Sequence, residues 1–259
     1  MHLLNERPYS SQELGLDKLN DPVAANKLIQ YDTKNKRFSM QMIFQYIRKN
    51  DLKGYFIICN ADIFLDDSLK YLKVSCLHET KIALALLRYE YSLGKNLEEC
   101  PIFGPRFDSQ DTWIFHSNQI IPENQEKLFS YELGKPGIDN KIVYLLKILG
   151  YNVINDPSTI KTYHFHRSMA RDYQGIAPIS KPWGMLVPAG ANPLTIPPSL
   201  GVNMEEVFKM TNGFQNGMYE DNTLLHTFIT KQFEENKPFI IPRIAGVENN
   251  IAVFSHIKK

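Results

Sequence analysis

The sequence has few cysteines, no long apolar run and no surplus of either charge. Its 259 residues include three cysteines, Cys59, Cys76 and Cys100. The number is odd and no pair has CxxC spacing, which excludes a zinc ribbon or disulfide framework and favours a reducing compartment. The longest apolar stretch, residues 82–87, is six residues long, against the roughly 18 that cross a bilayer, so no membrane span is expected. The N-terminus reads MHLL and then Asn5, Glu6 and Arg7, neither a signal peptide nor a basic presequence. Lys plus Arg number 29 and Asp plus Glu 28, a net charge of +1. With no aromatic-basic recognition pattern either, no nucleic-acid partner is expected. GxxxxGKS/T, GxGxxG and GxSxG are all missing, which removes the P-loop ATPase, the common dinucleotide binder and the serine hydrolase. The 43% of hydrophobic residues is ample for a folded core. These absences together predict a soluble, cytoplasmic globular protein.

Strand-like and helix-like stretches alternate along the first 170 or so residues. Residues 1–4 and 27–31 read as short strands. Residues 39–49 carry Met42, Ile43, Tyr46 and Ile47 at helical spacing behind Ser39, an N-cap residue. YFIIC (55–59) and the run 81–89 suit strands covered on both faces, and 111–116 reads as another. Residues 68–74 fit a short helix. Residues 139–149 fit a longer one, closed by Gly150. Extended pieces follow at 152–154 and 162–166. This alternation predicts an α/β fold with a mostly parallel sheet flanked by helices. Composition then shifts. Residues 176–202 hold six prolines and read as an extended segment wrapped on the surface, outside the sheet. The expected organisation is a domain over 1–175, a Pro-rich segment over 176–220, and a helix with the start of a further unit over 221–259. Helices are expected at 203–210 and 221–235. The final strand and turn look incomplete, so a piece of a longer protein is expected.

The sharpest motif is Cys59-Asn60-Ala61-Asp62-Ile63-Phe64-Leu65-Asp66-Asp67, directly after a buried strand. Ligands of open α/β sheets bind at the carboxyl ends of strands. A carboxylate there can hold a hard divalent cation that clamps a diphosphate. The alternative is that Asp66 and Asp67 cap the next helix while Asp62 only ends the strand. Tyr163-His164-Phe165-His166 places two histidines on one strand face, within reach of a metal at Asp62, or simply packed there. Gly134-Lys135-Pro136-Gly137-Ile138-Asp139-Asn140 is a tight loop entering a helix. Asp139 there is either a cap kept ionised by the helix dipole or a general base for a bound hydroxyl. Asp108-Ser109-Gln110-Asp111 offers groups that hydrogen-bond sugar hydroxyls, while Trp113 stacks on a sugar or fills core.

In order, NADIFLDD, a strand ending in Arg88-Tyr89, DSQDTWIF, LGKPGIDNKI, GYNVINDPSTIKTYHFH and Arg171-Asp172-Tyr173 resemble a GT-A-type nucleotide-sugar glycosyltransferase. They resemble glycosyltransferase-like proteins of large DNA viruses and some microbes, and a viral origin would place this chain in the host cytoplasm. The resemblance covers residues 1–173. It implies a GT-A-like, Rossmann-like fold and a D-x-D-type motif binding Mn²⁺ or Mg²⁺ with the donor diphosphate. Asn60 stands here where that pattern has its first Asp, leaving Asp62 as the metal ligand. The family's late metal-binding histidine maps onto His166 or His164, with His166 preferred. Asp139 matches the position of an inverting base, with Asp111 as the other candidate. Arg88 belongs to the donor side, and Lys181 in Lys181-Pro182-Trp183 resembles a phosphate-contacting KPW. The implied partners are a nucleotide-sugar donor and a glycan or glycoprotein acceptor. A GT-A domain usually opens with a strand-helix unit before a strand such as HLLNER, so that first unit is expected to be lacking. Three readings follow: a metal-assisted glycosyltransferase, a catalytically weak GT-A-like sugar-binding or scaffold module, and a metal-dependent hydrolase.

Overall fold

The structure, a computed structural model, describes residues 2–5, 9–18, 28–33, 37–75, 77–104, 106–166, 175–186, 188, 242–248 and 251–256. Strands β1 (His2–Asn5) and β2 (Ile29–Asp32) precede helix α1 (Met40–Lys49), β3 (Tyr55–Cys59) and β4 (Ile63–Leu65). A 3-10 segment, Asp67–Val74, leads to β5 (Ile82–Leu86), β6 (Tyr89–Glu90) and β7 (Thr112–His116). Helix α2 (Ile138–Ile148), β8 (Asn152–Ile154) and β9 (Thr162–His164) follow, then β10 (Trp183–Leu186), β11 (Pro242–Glu248) and β12 (Ile251–His256). The helices expected at 203–210 and 221–235, and the Arg171-Asp172-Tyr173 motif, lie outside the described residues.

Four strands form the central sheet in the order β3-β7-β5-β8. Because successive side chains alternate faces, each apolar run feeds two cores. Ala83, Ala85, Trp113, Phe115 and Val153 pack with α1 and α2 on one face. Ile82, Leu84, Leu86, Ile114 and Ile154 pack with Tyr71 and Leu72 on the other. Covering both faces is why these strands read as continuous apolar runs. Trp113 is core, only 5% exposed.

The helices start and stop as their ends dictate. Ser39 Oγ accepts from the Met42 amide at 3.3 Å, capping α1. At the far end of α2, Gly150 adopts φ +81°. The Tyr151 amide then bonds back to Leu146 O at 3.0 Å, closing the last turn.

Two expectations are corrected. The sheet is mixed rather than mostly parallel: β5 and β8 are parallel, but β7 is antiparallel to both β3 and β5. Parallel neighbours need a long crossover, usually a helix. Among the described residues between β6 and β7 there is only the 3-10 turn Leu97–Glu99, so the chain doubles back and β7 enters reversed.

The described part of the proline-bearing segment, residues 176–186 and 188, lies outside the central sheet, yet it is not a surface tail. Trp183–Leu186 is a buried strand, β10, paired in parallel with β12, which pairs antiparallel with β11. Pro182 and Pro188 flank a proline-free gap just long enough for a strand, with β10 at a sheet edge where flanking prolines are tolerated. The gap carries Trp, Met and Leu, which bury against α2: Asn140 Nδ2 donates to Gly184 O at 3.1 Å. Leu186 N donates to Phe107 O at 2.9 Å.

Candidate functional site

A second, three-stranded sheet in the order β4-β9-β6 builds the site. After β3, the Ile63 amide bonds to Asn60 O at 3.2 Å, and the turn sends the chain into β4. β4 pairs antiparallel with β9, Ile63 opposite His164, while Phe165 N donates to Asp62 O at 2.8 Å. On its other edge β9 pairs in parallel with β6, setting Glu90 beside His164. Backbone register alone therefore brings residues 62, 90 and 164 together.

The side chains complete the cluster. His164, 4% exposed, has Nε2 3.0 Å from Asp62 Oδ2 and Nδ1 2.9 Å from Glu90 Oε2. His166 Nδ1 lies 3.3 Å from the same Asp62 oxygen. The two imidazoles stack with centroids 5.2 Å apart, on one face as their spacing predicts. One ligand atom from each of Asp62, His164 and His166 falls within a 4.8 Å span. Adjacent ligands of an ion bound at about 2.1 Å stand about 3 Å apart, so little movement is needed to close on a cation. Asp62 Oδ1 is buried and has no hydrogen-bond partner, an orphaned acceptor whose burial is costly unless something positive meets it. The residues fit a divalent cation.

The neighbouring acids behave differently. Asp66 caps the 3-10 segment, accepting from Ser68 N at 2.9 Å, and its other oxygen accepts from Tyr163 OH at 3.1 Å. Capping is therefore the role of Asp66, and Asp62 is left to the cluster. Asn60 is exposed in the turn. Desolvation of the Cys59 sulfur and the Asp62 charge push its thiol up to about 11, which favours the protonated thiol.

Arg88 carries the cluster inward. It is buried, donates from Nε to Glu90 Oε1 at 2.8 Å, and donates from Nη1 to both oxygens of Asp111 at 2.7 Å. Its guanidinium lies 3.8 Å from the Phe103 ring centroid. Burial alone would raise Glu90, but hydrogen bonds from His164 and Arg88 outweigh it and hold the carboxyl below its ordinary value. The sequence reading stopped this strand at Tyr89 and missed Glu90. The available signal was the i, i+2 spacing of Arg88 and Glu90 straight after a buried run.

Beyond Asp111 stands Asp139. It sits in the first turn of α2, but its Oδ2 accepts from the Gln110 amide at 3.4 Å rather than capping its own helix. The expectation that the helix dipole keeps it ionised is corrected. Burial, then the negative charges of Asp111 and Asp108, push its carboxyl up to about 8. Arg88 and the Gln110 amide oppose this without overcoming the burial. Asp108 is itself paired to Arg106 at 2.8 and 2.9 Å, so both loop carboxylates offered for sugar hydroxyls are engaged within the chain. The loop glycine Gly137, φ +79°, makes room for Trp183, whose ring a Cβ would meet at 3.3 Å. Lys181 is exposed, its Nζ 5.4 Å from the Trp183 ring centroid. It joins neither the Asp62 cluster nor the Arg88 pairs by any hydrogen bond or ion pair described.

Compared with family models, curated proteins and solved structures, the chain gives no match.

Proposed function

We propose that this chain is a metal-assisted glycosyltransferase of GT-A type, moving a sugar from a nucleotide-sugar donor to a hydroxyl of a glycan or glycoprotein. The observation that carries the reading is Asp62, beyond the carboxyl end of β3, with Oδ2 facing two histidines and Oδ1 buried without a partner, linked through Glu90 and Arg88 to Asp111 beside Asp139. Asp62, His164 and His166 would hold the ion, which when bound supplies positive charge to a leaving diphosphate. Two imidazoles with one carboxylate suit Mn²⁺ better than Mg²⁺, which prefers all-oxygen surroundings. Asp139 takes the proton of the attacking hydroxyl. Its raised value sits close to working pH, where a general base is both available and strong enough. Asp111, held by Arg88, is the fixed negative neighbour that keeps Asp139 proton-hungry.

The test is incubation of the full chain with Mn²⁺ and a panel of nucleotide sugars, following release of nucleoside diphosphate. Mn²⁺-dependent release that Asp62→Ala abolishes is expected; no release with any donor overturns the reading. One observation favours a second reading, a GT-A-like sugar-binding or scaffold module. The cluster has a single carboxylate ligand, with Asn60 where the D-x-D pattern has another. Binding of a nucleotide sugar without release supports that alternative.

A further inference from the structure

We infer that Glu90 is a positioning residue which fixes the ring of His164 so that its Nε2 is presented to a metal shared with Asp62 and His166, and that Arg88 in turn fixes Glu90. The inference rests on the metal site proposed above. His164 is flanked by carboxylates on both sides, Glu90 at 2.9 Å from Nδ1 and Asp62 at 3.0 Å from Nε2. A neutral imidazole has one N–H and cannot donate to both. With the proton on Nδ1 the bond to Glu90 is made, and the Nε2 lone pair is directed at the Asp62 oxygen. Two acceptors then face each other unless a cation stands between them. Metal-bound histidines commonly give their second nitrogen to a carboxylate in this way, which sets ring orientation and basicity.

The carboxylate at position 90 is specific in its demands. It receives two donors, Arg88 Nε on Oε1 at 2.8 Å and His164 Nδ1 on Oε2 at 2.9 Å. A glutamine offers one oxygen and turns its NH₂ toward one of those donors, so Glu90→Gln must break one bond while keeping nearly the same shape. Arg88 itself is not adjustable: it is 4% exposed at its side chain, bonded to Asp111 and stacked on Phe103. The ring of His164 therefore takes its orientation from a chain of contacts anchored in the core, not from the exposed turn that carries Asp62.

Titration of the full wild-type chain with Mn²⁺, by calorimetry and by electron paramagnetic resonance, is the measurement, with Glu90→Gln alongside. A 10- to 100-fold loss of affinity is expected in Glu90→Gln, together with an altered visible spectrum when Co²⁺ replaces Mn²⁺. Unchanged affinity and spectrum overturn the role of Glu90 alone. No binding of Mn²⁺ or Co²⁺ by the wild-type chain overturns both this inference and the metal site. Should Glu90→Gln not fold, ¹⁵N-histidine spectra of the wild-type chain with Zn²⁺ decide: Nδ1 protonated and Nε2 metal-bound at His164 is expected, and the opposite tautomer overturns the inference.

Discussion

The two halves of the site obtain their charge states by opposite means. Around Asp62 the carboxylates are met by hydrogen-bond donors or by places for a cation: Glu90 is held low by His164 and Arg88, and Asp62 faces two imidazoles. Around Asp139 the nearest carboxylates have already taken the local arginines, and burial leaves its own carboxyl near 8. Arg88 touches both halves, its Nε on Glu90 and its Nη1 on Asp111, while its Nη2 is buried without a partner. Who is paired, rather than which residue types are present, therefore sets the unpartnered Asp62 oxygen apart from the buried Asp139 carboxyl.

The strongest way to break this comparison is Asp62→Ala. It removes the one carboxylate of the cluster, so Mn²⁺ affinity measured by calorimetry should drop by more than the roughly 100-fold ceiling for losing a supporting residue. An unaltered affinity would mean that the cation half does not exist.

Next in size, Asp139→Asn should lower turnover by about 100-fold while donor and Mn²⁺ affinities stay close to wild type. Equal losses of donor binding and turnover would make Asp139 a binding residue instead.

The same variant sharpens the comparison through stability. Below its ordinary value of 3.8, Asp139 is protonated in folded and unfolded chains alike. Between there and about 8 the unfolded chain releases the proton while the folded chain keeps it, so stability declines as pH rises through that window and levels off above it. Asp139→Asn is free of this decline. Its Tm relative to wild type, followed by scanning calorimetry, should climb between about pH 4 and about pH 8; a flat difference contradicts the raised value.

A smaller effect is expected from Gly137→Ala, at about 1–2 kcal/mol from a positive φ and the Trp183 ring. Urea melts would detect it, and metal affinity should hold. Ser39→Ala should cost about 1 kcal/mol through the lost cap of α1 and alter neither half.

Elements of the central sheet were legible because their signals are local. Ile82–Leu86 is a buried apolar run, and Ser39 caps the helix its spacing announces. The Asp62–His164–His166 grouping was legible from an acidic strand end and the alternation of two histidines along a second strand. Strand direction was not: β7 is reversed because of what the 87–111 segment lacks, and that is a property of the path, not of the strand. β10 was hidden by its prolines, which mark its ends rather than forbid it. The charge of Asp139 was misread because helix position was weighed without the neighbours, Asp111 and Asp108, that only tertiary structure supplies.

β9 is three residues long, yet it is the centre strand of its sheet. Its partners are remote in sequence, with His164 lying 74 residues from Glu90 and 102 from Asp62. Closing such loops costs conformational entropy that the packing and pairing of β9 must offset. During synthesis the contacts of Asp62 and Glu90 with β9 cannot form before His164 has been made. On the proposed metal reading, a cation would have nothing to bind on the unfolded chain beyond scattered side chains, and raising its concentration would raise the melting temperature.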